Sequence, residues 1–284
     1  MNFEGYLKSL SGRQLLIATK HGKQNVIAPA FQTNFNVKCF CPNDYDTDTF
    51  GTFSGEIERI DGPLDTLRRK CIHAMETYAC DLGIASEGSF GPHPAVYFVP
   101  SDTEHLIFID SKNQIEIVAS LVSTSTNYAT STIDSFEELI DFTKKIGFPS
   151  HAIILRDTLK KKETIIKGIT NENMLKVSFE KLKGSTLLVE TDMRAHLNPT
   201  RMKVIEELTG KLIDKLKSNC PSCFYPGYTV KERIPGLPCS QCGLPTRSTK
   251  SNEFKCEKCK CKTEQLFPNG KKEEDPMYCD YCNP

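Results

Sequence analysis

"QLLIATKHGK", residues 14–23, decides how the rest of the chain is read. Gln14 to Ala18 form a short apolar run, the length of a buried strand and too short for a core helix. The run stops at Thr19 and empties into Lys20, His21, Gly22 and Lys23. A buried strand that ends in a cationic loop suits an open α/β sheet, where loops at strand C-termini gather around a crevice.

Working outward, "NVKCFC" (36–41) alternates and reads as a second strand. "DGPLDTLRRKCIHAMETYA" (61–79) reads as a helix: Leu64, Leu67, Cys71, Met75 and Tyr78 recur at spacings of three and four, and Asp61 and Pro63 mark its start. "LGIAS" (82–86), "AVYFV" (95–99), "HLIFID" (105–110) and "QIEIVASLV" (114–122) read as strands separated by short breaks. "DSFEELIDFTKKIG" (134–147) is a helix capped by Asp134 or Ser135 and stopped by Gly147. "HAIIL" (151–155) and "STLLVE" (185–190) add strands, and "NPTRMKVIEELTGKLIDKLKS" (198–218) is a long helix with Pro199 at its first position. The expected fold is α/β, a mixed sheet flanked by helices.

Composition changes near residue 218. Of 13 cysteines, nine lie between Cys220 and Cys282. Four Cys-x-x-Cys pairs stand at Cys220/Cys223, Cys239/Cys242, Cys256/Cys259 and Cys279/Cys282, with spacers of 15, 13 and 19 residues. Each pair can grip one ion from a tight turn, and two pairs close a tetrahedral site, so eight cysteines imply two structural zinc ions. Consecutive pairing is the simplest arrangement, and a cross-braced one stays open. Cys261 is left over, as a free thiol or an alternate ligand. The expected domains are 1–217, with the α/β fold, and 218–284, a double zinc ribbon with too few large apolar side chains for an ordinary core.

Charge excludes some functions. Lys and Arg number 36 against 36 Asp and Glu. From residue 218 onward there are ten Lys and Arg against eight Asp and Glu. Two Zn(Cys)₄ centres, each about −2, turn that small excess negative. Nucleic acid is therefore not a favoured partner; a structural or protein-docking ribbon is. No apolar run has the length of a membrane span or a signal peptide, so a soluble cytoplasmic protein is expected.

Polar residues collect where the strands end. "DYDTDTFGTFSGEIER" (44–59) follows the second strand, "SEGSFGPHP" (86–94) a later one, and "TDMRAHLNPTR" (191–201) opens the last helix. Brought to one crevice, these loops would place carboxylates for Mg²⁺ beside Lys, Arg and a helix N-terminus for phosphate. Each residue also has a structural reading: Arg194 and Arg201 can pair with Glu190 or Glu206, and Asn198 can simply cap a helix.

Two resemblances rest on these segments. "ATKHGK", "GTFSGEIER", "ASEGSFGPHP", "HAIILRD", "ETDMRAHLNPTRM" and the closing "CDYCNP" resemble a family of uncharacterised, mainly bacterial proteins known only as a domain of unknown function. More distantly, the first domain resembles the inosine-triphosphatase-like nucleotide pyrophosphatases. Their order of motifs is kept: a strand-one loop (here "ATKHGK"), an acidic segment before a helix ("DTFGTFSGEIER"), a turn after a later strand ("SEGSFG") and a basic late helix start ("DMRAHLNPTR"). The resemblance implies an inosine-triphosphatase-like sheet and Mg²⁺-dependent hydrolysis of a nucleoside triphosphate or related phosphoanhydride. It implies Glu87, Glu56 and Asp48 as catalytic acids, and Thr19, Lys23, Ser89, Arg194, His196 and Arg201 as phosphate or substrate contacts. The expected partner is a nucleotide or phosphorylated small molecule. The alternative is a non-enzymatic nucleotide, nucleic-acid or protein-binding module stabilised by zinc.

Overall fold

The structure, a computed structural model, describes residues 3–45, 62–157, 164–182 and 186–284. It divides into two compact units, Leu10–Leu212 and Met1–Ser9 with Ile213–Pro284. None of its described helices is long and apolar enough to cross a membrane.

After α1 (Phe3–Leu10), the larger unit begins with β1 (Gln14–Ala18), α2 (Gln24–Phe35), β2 (Lys38–Phe40), α3 (Pro63–Thr77), β3 (Leu82–Pro92), β4 (Pro100–Asp110) and β5 (Ile115–Ser123). The five strands form one mixed sheet in the order β2-β1-β3-β4-β5. β1 lies parallel to both β2 and β3, whereas β3, β4 and β5 are antiparallel. The chain moves from β1 one way to β2, then crosses back past β1 to β3. Because such crossovers are right-handed, α2 and α3 cover opposite faces. Their apolar sides agree. On α2, Ile27, Phe31 and Phe35 are buried, with Phe31 stacked 6.1 Å from Phe108. On α3, Leu67, Cys71, Ala74 and Met75 pack with Ala85, Ile107 and Ile109. A Cβ on Gly83 would come within 2.6 Å of Met75, so this strand position needs glycine for the helix to seat.

The remaining elements build a second sheet rather than extending the first: β6 (Thr130–Ile133), α4 (Phe136–Ile146), β7 (Ile153–Asp157), β8 (Thr164–Ile169), α5 (Glu172–Leu182) and β9 (Leu187–Thr191), with strands ordered β6-β9-β7-β8. All its pairs are antiparallel. Leu139, Phe142 and Ile146 of α4 and Leu175, Phe179 and Leu182 of α5 pack on Ile153, Leu155 and Val189. Ser135 caps α4 through a reciprocal box with Glu138, and Gly147 closes it at φ 84°. A 3₁₀ turn (Ala195–Leu197) then leads into α6 (Pro199–Lys217).

Two sequence expectations are corrected. The chain carries mixed and antiparallel sheets flanked by helices, not one mixed sheet. "AVYFV" (95–99) is no strand: β3 and β4 stay paired out to Pro92 and Pro100, which leaves 93–99 as the connecting loop. Its His93 Nδ1 accepts the Ala95 and Val96 amides, and Tyr97 and Phe98 are exposed. α2 was not anticipated, because Pro29 interrupts its stripe.

In the smaller unit, β10 (Thr229–Pro235), β11 (Thr249–Lys255) and β12 (Lys262–Leu266) form a three-stranded antiparallel sheet.

Candidate functional site

β1 and β3 are parallel neighbours whose chains leave in opposite directions, β1 into α2 and β3 into β4. The crevice outside their C-terminal ends is a topological switch point, where open α/β sheets bind ligands. Beyond Ala18, β1 no longer covers the edge of β3, and Ser86 is reached from several sides. Lys23, just before α2, donates from Nζ to Ser86 Oγ at 3.0 Å. The Thr19 hydroxyl lies 3.4 Å from the same oxygen. Lys70 of α3 reaches the Ser86 carbonyl at 3.4 Å and the Glu87 carboxylate at 2.5 Å.

Strand alternation divides these groups between the two faces. Gly83, Ala85 and Glu87 point toward α3, where Lys70 neutralises Glu87; both side chains are under one-tenth exposed. Ser86, Gly88 and Phe90 point the other way. There Arg201, in the first turn of α6, lies across β3. Its Nε donates to Glu104 Oε1 at 2.6 Å, its Nη1 to the Met193 carbonyl at 2.5 Å, and its guanidinium stands 4.8 Å from the centre of the Phe90 ring. Asn198 Oδ1 accepts the Arg201 amide and fixes the start of the helix. A Cβ on Gly88 would meet Arg201 Nη2 at 2.4 Å and Glu104 Oε1 at 2.5 Å, so only glycine lets the pair cross the strand.

Next to Glu104 on this face of β4 is Asp102, and both are fully buried. Neither oxygen of Asp102, nor Glu104 Oε2, has a hydrogen-bond donor. Burial first, then the Glu104 carboxylate, pushes Asp102 up to about 8. Burial and then the Arg201 charge push Lys23 down to about 8.

The loops foreseen at this crevice are only partly gathered there. Thr19, Lys23 and Arg201 belong to it, and His196 stacks on His21 with ring centres 5.2 Å apart. Glu87 is held by Lys70 on the α3 face. Ser89, on that face too, is half-buried opposite Thr103. Arg194 is bound to buried Asp192, Nη2 to Oδ2 at 2.6 Å. Asp48 and Glu56 lie outside the described residues. Sequence reading missed Lys70, Ser86, Asp102 and Glu104. Two signals were present. Asp102 and Glu104 share the parity of inward Leu106 and Phe108, and Lys70 stands three residues after Leu67 on the apolar stripe.

A cavity of about 650 Å³ lies at the far end of β4, lined by Ile72, Met75, Cys80, Ile109, Ser111 and Glu116 among others. Its arginine, Arg68, donates to Glu116 at 2.8 Å. With its one cation so paired, it is a poorer seat for a phosphate than the crevice.

The smaller unit holds two four-cysteine groups that could bind metal, Cys220/Cys223/Cys256/Cys259 and Cys239/Cys242/Cys279/Cys282. The consecutive pairing is thus corrected to a cross-braced one, for a topological reason. β10, β11 and β12 each join one knuckle to the next, and an antiparallel sheet carries the chain from end to end. Knuckles one and three therefore share one end, and two and four the other, roughly 20 Å away for a seven-residue strand. Sulfur separations such as 3.6 Å for Cys220–Cys259 and 3.7 Å for Cys242–Cys279 far exceed a disulfide bond and match the ~3.8 Å edge of a ZnS₄ tetrahedron. Each knuckle closes the same way: Phe224, Gly243, Lys260 and Asn283 donate their amides to the carbonyls of Cys220, Cys239, Cys256 and Cys279. The amides of Cys242 and Gln241 pull the Cys239 thiol down to about 7. The accompanying core is small, Tyr228 stacked on Phe254 beside Cys220 and Cys256, with Cys261 at its margin.

Comparison with known proteins gives the class. The chain belongs to the family described as Domain of unknown function (DUF6671), which matches residues 70–284. That span takes in Lys70, Glu87, Asp102, Glu104, Arg201 and all eight paired cysteines; Lys23 precedes it. No curated protein matches the chain.

Proposed function

We propose that the larger unit is a Mg²⁺-dependent hydrolase of a phosphoanhydride, of the nucleoside-triphosphate class, acting at the crevice beyond β1 and β3. The observation that carries this reading is the convergence of two buried cations, Lys23 at the entry to α2 and Arg201 in the first turn of α6, beside buried carboxylates. Helix N-termini, lysine and arginine bind phosphate oxygens for the same electrostatic reason, and a planar guanidinium adds geometric fit. The order of loops along the chain, like that of the nucleotide pyrophosphatases, supports the same class. The phosphate contacts are Thr19, Lys23 and Arg201, with His21 and His196 beside them. A hard cation beside the phosphates would neutralise their charge and activate water. Glu87 and Arg194 serve as structural ion-pair partners.

The zinc-binding tail is proposed as a structural module with a protein-docking face. Leu244, Met277, Tyr278 and Tyr281, exposed near the second cysteine group, favour a protein over nucleic acid.

The test is release of phosphate or pyrophosphate from a panel of nucleoside triphosphates with Mg²⁺, on wild-type protein and Lys23→Met. Turnover by wild type and its loss in a folded Lys23→Met protein are expected. No turnover of any triphosphate, or an unchanged rate in the variant, would refute the reading.

A further inference from the structure

Among the described residues, buried carboxylates are otherwise supplied with donors. Asp110, on the same face of β4, receives two Arg13 bonds and two from Asn113. Burial alone would raise its carboxyl, yet these partners hold it below the usual range. Asp192 receives Arg194 and the Gly168 amide. Asp102 and Glu104 break this pattern. Asp102 is 0 % exposed and Glu104 1 %, and three of their four oxygens meet no donor. Orphaned acceptors in a closed interior are costly unless something fills them.

A buried water, a shared proton or a divalent cation can do so. A single proton between the two carboxyls would satisfy two oxygens. A divalent cation would bind oxygens of both side chains. The surroundings favour the cation. Arg201 already takes Glu104 Oε1, which leaves Oε2 available, and Gly88 is the glycine that lets Glu104 and Arg201 lie side by side. The donors are hard oxygens from alternate residues of one strand, and Mg²⁺ commonly uses one or two carboxylates with water and substrate phosphates completing its shell.

We propose that Asp102 and Glu104 form a seat for a hard divalent cation, Mg²⁺ or Mn²⁺, separate from both cysteine groups. This deepens the phosphoanhydride reading by assigning the cation a place. The charges facing the seat explain why a polyphosphate would share it. With both carboxyls ionised, as a bound cation requires, Lys23 and Arg201 balance them, so a divalent ion leaves an excess of positive charge that an anionic ligand offsets. The Lys70–Glu87 pair stands on the opposite face and adds no net charge.

The test uses the full zinc-loaded chain and Mn²⁺ alone, titrated at pH 8 and read by the electron paramagnetic resonance signal of free Mn²⁺ after equilibration. One Mn²⁺ per chain is expected. Asp102→Asn should abolish that site, and Glu116→Gln, a half-exposed carboxylate elsewhere, should keep it. If Asp102→Asn does not fold, selective paramagnetic broadening of wild-type amides at Gly88, Thr103 and Leu121 gives the same answer without a variant. No Mn²⁺ bound by wild type, Mn²⁺ retained by Asp102→Asn, or broadening elsewhere would overturn the seat and leave a shared proton or a buried water. Mn²⁺ bound here without hydrolysis of any triphosphate would instead refute the hydrolase and keep the seat.

Discussion

Replacing Lys70 with methionine removes the cation from a buried pair and leaves Glu87 without it. The two side chains are 7 % and 8 % exposed, and Lys70 Nζ stands 2.5 Å from Glu87 Oε2. Stranding one partner of a buried pair costs about 3–5 kcal/mol. A second route gives a similar magnitude. The least costly response is to protonate Glu87. An ordinary glutamate titrates near 4.3, so keeping it neutral at pH 7 costs roughly 1.4 kcal/mol for each of about 2.7 pH units, or ~3.7 kcal/mol. The same arithmetic gives about 1 kcal/mol at pH 5. Denaturant unfolding of the larger unit, measured for wild type and Lys70→Met at both pH values, should therefore show a large loss at pH 7 that mostly disappears at pH 5. The double variant Lys70→Met with Glu87→Gln should recover much of the loss. A loss below ~1 kcal/mol at pH 7, or one independent of pH, would refute Lys70 as the main counter-charge of Glu87. Full stability with abolished hydrolysis would return Glu87 to the catalytic role that the sequence suggests.

Gly88→Ala should destabilise the same unit by about 1–3 kcal/mol from overpacking alone, and by more if Arg201 and Glu104 are driven apart; an unchanged melting curve would contradict their packing against β3. The stability contribution of Asp102, whose carboxyl lies near 8 when folded, should be full below about pH 4 and lost as pH rises through 8. Lys23, lowered to about 8, contributes stability above its unfolded value that is lost as pH falls through 8. Together they predict a minimum near pH 8, shallower on its acid side in Asp102→Asn. Metal analysis should give close to two zinc ions per chain. Cys220→Ala and Cys256→Ala should release the same ion, and Cys239→Ala and Cys279→Ala the other; release grouped by sequence neighbours would reject cross-bracing.

Much of the fold was legible because it follows from periodicity and caps. The Leu67, Cys71 and Met75 stripe of α3 (Leu64, expected with it, is exposed), the Ser135–Gly147 brackets of α4 and the Asn198-Pro199 start of α6 are local signals, and local interactions enforce them. The eight cysteines of the two groups that could bind metal were equally plain. What failed was relational. Whether strands share a sheet is decided by pairing across the chain, so one mixed sheet was expected although β6, β7, β8 and β9 form a sheet of their own. The knuckle pairing had a readable clue: each spacer can hold one strand, and a strand carries the next knuckle to the other end. The candidate site was legible only in part. Conspicuous polar residues in loops drew attention, while several of the buried charges near it sit inside elements. Lys70 is on a helix stripe and Asp102 and Glu104 are on a strand interior, where their parity with Leu106 was the only mark.

The most direct test of the central claim is a crystal structure with Mn²⁺ and a non-hydrolysable nucleoside triphosphate. The account predicts phosphate density within hydrogen-bonding distance of Lys23 Nζ and Arg201, with anomalous Mn²⁺ signal between that density and Asp102. Triphosphate bound instead in the cavity beside Cys80 and Glu116, or Lys23 and Arg201 untouched at saturating ligand, would contradict it.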